Sequence, residues 1–224
     1  MLAHALKRIQ APRSNYFAAG VSDSNSVNEM EFQRESSTIQ EFIDVKDRAK
    51  ITYFSSFVAI DGDSRYAEHK RAMEAIVKNS AFQYNIIRLP QVVGLSSNNT
   101  LVCHFVRKIS QGLPLILQTE ARRRLIAIDD VVRISDLVAR QADDRLTINV
   151  GPQLSLSPLA IAKQIGEILK IAPILNFVEG GDHQLANLDA AFALLGKKDI
   201  LFLGDYQRMV LEKNVPLLHK RLCS

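Results

Sequence analysis

The strongest constraint on this chain is a rhythm in its first half. Three short, β-rich apolar runs, NYFAAG at 15–20, KITYFSSFVAI at 50–60 and YNIIRLPQVVG at 84–94, are separated by longer polar stretches with helical spacing. The first spacer, roughly Glu29 to Lys50, offers Phe32, Ile39, Phe42, Ile43 and Val45 as an inner stripe. The second, SRYAEHKRAMEAIVKNS at 64–80, offers Ala67, Ala72, Met73, Ile76 and Val77. Strands joined by helices of a dozen or more residues must run parallel, because each helix carries the chain back across one face. The expected fold is therefore α/β, a Rossmann-like doubly wound parallel sheet. A short helix precedes it, with Leu2, Ala5, Leu6 and Ile9 on one face and a stop before Pro12.

After Gly94 the rhythm changes. A polar loop SSNNT leads to a helix from about Thr100 to Gln111, the segment GLPLILQTEARRRLIAI and a helix beginning at Asp129. A short strand in TINVGPQ follows. Ser157 before Pro158 then opens another helix, and a last one ends on Gly196. Residues 1–94 are expected to form the Rossmann-like core, and residues 95–224 a mixed region that completes the sheet and adds a smaller lobe.

Composition narrows the function. Of 224 residues 47% are hydrophobic and 23% charged, enough apolar surface for a packed core. The formal charge of +4 rests on 28 basic against 24 acidic residues, and the dense basic run is Arg122-Arg123-Arg124. Nucleic-acid binders carry a basic stripe interleaved with aromatics, so the pattern argues against that partner and for a small anionic ligand. Cys103 and Cys223 lie far apart with no CxxC or His/Cys spacing, which suits free thiols in a reducing compartment and supports no metal site. No window holds the ~18 uninterrupted apolar residues of a membrane span, and MLAHALKRIQ is too short and polar for a signal peptide. A cytoplasmic protein without a membrane partner is expected.

Open α/β sheets bind ligands beyond the C-terminal ends of their strands. Here those ends carry Ala18-Ala19-Gly20, Ser55-Ser56 and Gln91. Tyr66 and Lys70, about one helical turn apart, share a face and can reach one ligand. A phenol with a pKa of ~10 is a poor base at neutral pH, but a neighbouring ammonium favours the phenolate. Such a pair plus a serine suits proton exchange with an alcohol. The residues alone leave other readings open: Tyr66 and Lys70 as a surface pair, either serine as a strand end, and the arginine triplet as a solvated face. Asp129-Asp130 reads as a helix cap and Asp143-Asp144 as a turn, while His69, His104 and His183 read as surface or packing residues. Glu74 stands at the spacing of a helix ion pair with Lys70.

In order along the chain, YFSSF, YAEHK, NIIRLPQVVG and RRLIAIDDVV resemble the extended short-chain dehydrogenase/reductases, the NAD-dependent epimerase/dehydratase family of sugar-nucleotide enzymes. The resemblance implies that Ser56 orients the substrate, Tyr66 is the catalytic acid/base, and Lys70 binds the nicotinamide ribose and lowers the tyrosine pKa. It implies a cofactor, NAD or NADP, lined by Ala18, Ala19, Gly20, Tyr66, Lys70 and Pro90. It also implies a nucleotide-sugar substrate met by Ser56, Gln91 and Arg123, with the 95–224 lobe on the substrate side. Gln91 stands where the family usually has an asparagine. Arg123 would meet the diphosphate, where a guanidinium makes two parallel charge-assisted bonds. FAAGVSDS with YFSS and RLPQVVG is similar to a bacterial subset found with polysaccharide biosynthesis, and a homodimer through the YxxxK helix is a further implication.

Two departures stand out. The chain holds no GxGxxG or GxxGxxG, whose backbone N–H groups would cradle a pyrophosphate. MLAHALKRI resembles the helix after such a loop, with Ala3 at its last small position, so the first strand and loop are expected upstream of Met1. The Ser56-to-Tyr66 interval is also shorter than is usual in the family. The leading expectation is an NAD(P)-dependent epimerase, dehydratase or reductase. The alternative is a catalytically silent relative that binds a nucleotide sugar or a partner.

Overall fold

The computed structural model describes residues 1–7, 14–21, 27–46, 49–95, 100–183 and 185–223. Ile9, Pro12, most of the SSNNT loop and the residues just after the first long helix fall outside them. The first elements are α1 (Leu2–Leu6), β1 (Ser14–Phe17), α2 (Glu29–Lys46), β2 (Lys50–Ser56), α3 (Val58–Asp61), α4 (Arg65–Ser80) and β3 (Tyr84–Leu89). Then come β4 (Gln91–Val93), α5 (Leu101–Ser110), β5 (Leu115–Gln118), β6 (Leu125–Ala127), α6 (Ile128–Ala139) and β7 (Arg145–Asn149). The chain closes with α7 (Pro158–Leu169), β8 (Leu175–Val178), α8 (Asp189–Leu195), a 3₁₀ turn at Ile200–Phe202 and α9 (Tyr206–Cys223).

Two compact units share these elements. The first comprises Met1–Leu89, Asp129–Val150 and Leu185–Gly196; the second comprises Pro90–Ile128, Gly151–Gln184 and Lys197–Ser224.

The first unit is the α/β sheet domain. Its four strands run in the order β1-β2-β3-β7, every neighbouring pair parallel. The central strands explain their own apolar character: five consecutive residues of β2, Ile51 to Ser55, are buried, as expected where helices cover both faces. On one face Phe17, Ile51, Tyr53, Tyr84 and Ile86 pack with Ile39 and Ile43 of α2 and Met73 and Val77 of α4. On the other, Tyr16 stacks on Phe54 with ring centroids 6.4 Å apart. Burial, with the nearby Asp136 carboxylate, pushes the Tyr16 phenol up to about 12.

The second unit holds two parallel strand pairs, β4 with β6 and β5 with β8, and the helices α5, α7 and α9. Side chains of α9 satisfy backbone donors of β6: Gln207 Oε1 accepts from Leu125 N–H at 2.7 Å, and the Tyr206 hydroxyl oxygen from Ala127 N–H at 3.0 Å. Ser157 caps α7 by accepting the Ala160 N–H at 3.1 Å, as its position before Pro158 implies.

Four local expectations are corrected. KITYFSSFVAI does not stay extended: the strand stops at Ser56 and Val58–Asp61 coil into α3. A short apolar run has no period that separates strand from helix. YNIIRLPQVVG is two strands, not one; Pro90, with no N–H to donate, stands between β3 in one sheet and β4 in another. On α2 Val45 is 78% exposed, and the buried stripe instead runs Phe32, Glu35, Ile39, Ile43. On α4 Ala72 is exposed, whereas Tyr66, His69, Lys70 and Glu74 are buried.

Candidate functional site

The site begins at the cap of α4. Ser64 lies in an extended conformation and its Oγ accepts the Ala67 N–H at 3.2 Å, which starts the helix at Arg65. Tyr66 and Lys70 therefore occupy its first two turns on one buried face, 7% and 3% exposed. The Tyr66 hydroxyl donates to Val21 O at 3.3 Å, just past the end of β1. The Lys70 ammonium lies 5.6 Å from the Tyr66 ring centroid and 5.4 Å from that of Tyr53.

What holds that ammonium is Glu35, which no sequence argument singled out. Its Oε1 accepts from Lys70 Nζ and from the Tyr53 hydroxyl, both at 2.9 Å. Its Oε2 accepts from Val21 N–H at 2.8 Å and is 2.9 Å from His69 Nε2. Four donors thus meet a carboxylate with about four lone-pair sites, and its side chain has no exposure. Lys70 also donates to the Tyr53 hydroxyl oxygen at 3.1 Å. Gly20 closes the cluster from the strand side: a Cβ there would come within 2.8 Å of Glu35 Oε1 and 3.0 Å of Lys70 Nζ.

The electrostatics follow from this packing. Burial alone would push the Glu35 carboxyl up, but the hydrogen bond from His69 and the charge and bond of Lys70 outweigh it and hold it down at about 2. An ionised Glu35 can only accept, so His69 Nε2 carries its proton. Burial draws the Lys70 ammonium below its ordinary value against the opposing charge of Glu35. Tyr53 is pushed well up, first by burial and then by the Glu35 charge.

A second carboxylate corrects another expectation. Glu74 does not take Lys70 as its ion-pair partner. It receives two parallel bonds from Arg88 of β3, Nε at 2.8 Å and Nη2 at 2.6 Å, plus the Ser55 hydroxyl at 2.7 Å and Lys78 at 3.4 Å. A bidentate guanidinium matches a carboxylate better than an ammonium one turn away, and Lys70 is already held by α2. Of the two readings of His69, surface or packing, the second holds: its ring stacks on Phe32 with centroids 4.3 Å apart.

The remaining expected site residues fall in distinct surroundings. Ser56 is half-buried and its Oγ accepts the Val58 N–H at 3.5 Å, a long contact, whereas Ser55 is committed to Glu74. Ala18 is partly buried and Ala19 exposed. In the second unit Pro90 precedes β4, and Gln91 gives its backbone N–H to Arg124 O at 3.1 Å. Arg123 Nη2 meets Asp182 Oδ1 at 2.6 Å, and its Nη1 donates to Asp182 O and Arg122 O. Beside Asp182, Gly181 has φ +128° and a Cβ there would come within 2.5 Å of Ala121 N, so the position tolerates no side chain.

Two of the residues that build the site, Glu35 and Tyr53, carry no expectation from the sequence, where His69 reads as a surface or packing residue. Glu35 left one signal: it sits three residues after Phe32 and four before Ile39 on an apolar stripe, where a lone carboxylate demands a buried cation. Among the described residues no group of three His, Cys, Asp or Glu could hold a metal ion, and no helix is long and apolar enough to cross a membrane. Cys103 is buried and Cys223 exposed, both as free thiols.

No curated protein matches the chain. Solved structures do. MoeE5 in complex with UDP-glucuronic acid and NAD superposes with a TM-score of 0.76 at 16% identity, over 96% of this chain and 84% of that one. The UDP-N-acetylglucosamine 4-epimerase from Bacillus cereus gives 0.69 at 17% identity, over 100% and 84%. RMD from Pseudomonas aeruginosa complexed with NADPH gives 0.74 at 12% identity, over 95% and 83%. At such identities the likeness is one of fold. The family model for the NAD dependent epimerase/dehydratase family matches residues 36–151, a span that contains Ser56, Tyr66, Lys70, Gln91 and Arg123. Just over half of the sequence lies under that one model, and the chain belongs to the NAD dependent epimerase/dehydratase family.

Proposed function

We propose that the protein converts a nucleotide sugar, as an epimerase, dehydratase or reductase, with Tyr66 as the acid/base and a nicotinamide cofactor, NAD or NADP. The observation that carries this reading is the buried face of α4, where a phenol and an ammonium one turn apart stand beside Gly20 and Val21 past the end of β1. The MoeE5 and RMD structures, which hold NAD and NADPH, support the cofactor class, and the UDP-sugar in MoeE5 supports the substrate class.

The residues present fit the ribose end of such a cofactor. Lys70 has three protons and spends two on Glu35 and Tyr53. Ala18-Ala19-Gly20 offers no side chain larger than a methyl, so a flat ligand can lie against main chain. Lys70 would meet the ribose, with Tyr66 and Pro90 also lining the cofactor. When bound, the nicotinamide accepts and returns a hydride.

The chain's own groups do the rest. The Tyr66 oxygen takes or gives the proton of the reacting sugar hydroxyl, and the nearby ammonium favours the phenolate that this requires. Ser56 holds that hydroxyl; Ser55 is unavailable because Glu74 has claimed it. Gln91 and Arg123 serve the substrate from the 95–224 side of the chain and its border, Arg123 through the guanidinium edge that now holds Asp182. A phosphate oxygen makes the same charge-assisted bond. The Tyr66→Phe variant keeps the ring and loses the hydroxyl, so turnover of a UDP-sugar should fall by about 10²–10⁴-fold, while the lost bond to Val21 O should lower stability by no more than about 1 kcal/mol. Retained turnover would sink the mechanism.

A second reading is a nucleotide-sugar binder without turnover. One observation favours it: the Lys70 ammonium is already tied to Glu35. It requires a UDP-sugar to raise the melting temperature while NADH leaves it unmoved. The homodimer implied by the YxxxK helix is checked by light scattering, where a mass near 25.0 kDa would exclude it.

A further inference from the structure

We propose that Glu35 is the positioning residue of this site, the internal counter-ion that fixes the Lys70 ammonium beside Tyr66 and keeps it charged away from water. The inference rests on the acid/base reading of Tyr66 for its kinetic consequence, while its physical content stands on this cluster alone.

The geometry carries the argument. An isolated ammonium in a dry site gives up its proton rather than remain unsolvated. Lys70 is 3% exposed, and a carboxylate with no exposure lies 2.9 Å from its nitrogen. Every element packed on the pair contributes a named group. From α2 comes Glu35 itself; from β2 comes Tyr53, which donates to the same Oε1 and accepts from Lys70; from α4 come His69 on the other oxygen, Tyr66, and Glu74. Past β1, Val21 N–H anchors Oε2, and the bare Cα of Gly20 leaves the pair in contact with main chain. Glu74 does not substitute for Glu35, because Arg88, Ser55 and Lys78 already hold it. Glu35 also cannot swing away without stranding four donors. The arrangement is thus a fixed counter-ion, set by the fold before any ligand arrives.

A consequence separates this role from mere packing. Burial draws the Lys70 ammonium down and Glu35 holds it up, so neutralising Glu35 leaves the downward pull in place. Lys70 then loses its proton at a lower pH, and with it the charge that favours the Tyr66 phenolate. The loss should be reversible by acid. A packing defect would instead depress activity at every pH.

The test is a titration of the Lys70 side chain by ¹³Cε NMR in the full chain, for the wild type, Glu35→Gln and Glu35→Asp, beside pH–rate profiles. The proton affinity of Lys70 should fall about tenfold or more in Glu35→Gln and stay near wild type in Glu35→Asp. The high-pH limb of the rate profile should move down with it, and activity should return as the pH is lowered. An unmoved Lys70 midpoint in Glu35→Gln would overturn the proposal. If Glu35→Gln does not fold, the double variant Glu35→Gln, Lys70→Met decides: a folded double variant supports the charge pairing, and an unfolded one overturns it. If the wild type turns over no nucleotide sugar, the proposed function fails, and the NMR midpoints still judge Glu35.

Discussion

Two buried carboxylates of the first unit, Glu35 on α2 and Glu74 on α4, have been solved by the fold in different ways. Glu74 faces Arg88, a guanidinium that cannot lose its proton, in a bidentate pair whose cation is 20% exposed. Glu35 faces Lys70, a titratable ammonium that is 3% exposed, and is otherwise surrounded by neutral or titratable donors. The first arrangement ties a strand to a helix and has nothing left to adjust. The second holds a charge that the surroundings would otherwise extinguish. That difference separates a titratable pair at Lys70 from a fixed tie at Arg88, although Lys70 and Glu74 share the buried face of α4.

The comparison can be broken most sharply by truncation. Glu35→Ala leaves Lys70 buried without its counter-ion and should cost about 3–5 kcal/mol in urea unfolding. Glu74→Ala leaves an arginine that already reaches water and should cost about 1.5–3 kcal/mol. Equal losses would erase the distinction.

Acid offers the next largest effect. The folded Glu35 carboxyl sits at about 2 against an ordinary 4.5, a depressed value, so its stabilisation is fully present above pH 4.5 and is lost as the pH falls through about 2. The gap in stability between wild type and Glu35→Gln should therefore narrow across that window. A gap that stays constant from neutrality to acid would show that the charge of Glu35 is not what stabilises.

Smaller substitutions sharpen the same contrast at the end of β2. Ser55→Ala removes a 2.7 Å bond to Glu74 and should cost about 1–2 kcal/mol. Ser56→Ala should change stability by less than about 0.5 kcal/mol and instead lower turnover. Ser64→Ala, which removes the cap that starts the Tyr66 helix, should cost about 1 kcal/mol.

How much of this was legible beforehand follows from physics of different range. The sheet strands could be read because β2 and β3 are continuous apolar runs with punctuation on both sides, and α4 because Ser64 and a helical pattern mark its start. The Tyr66/Lys70 pair was visible as a spacing. Its counter-ion was not, because Glu35 meets Lys70 only after two helices pack on the same face of the sheet. The same holds for Glu74, whose local partner Lys70 lost to the distant Arg88. The helix α9 escaped notice for a local reason: Gln207 and Asn214 interrupt its buried stripe, and Pro216 lies inside it. The strand β8 escaped because its residues Asn176, Phe177 and Val178 are exposed and show no alternation.

The most direct test of the account is a fluorescence titration of NADH into the wild-type chain and into Lys70→Met. Saturable binding is expected for the wild type, with a loss of about tenfold or more in affinity when the ammonium is replaced, because a charged donor held in place for the ribose is gone. Equal binding by both chains, or none by either, would contradict the claim that the fold keeps Lys70 charged for a cofactor.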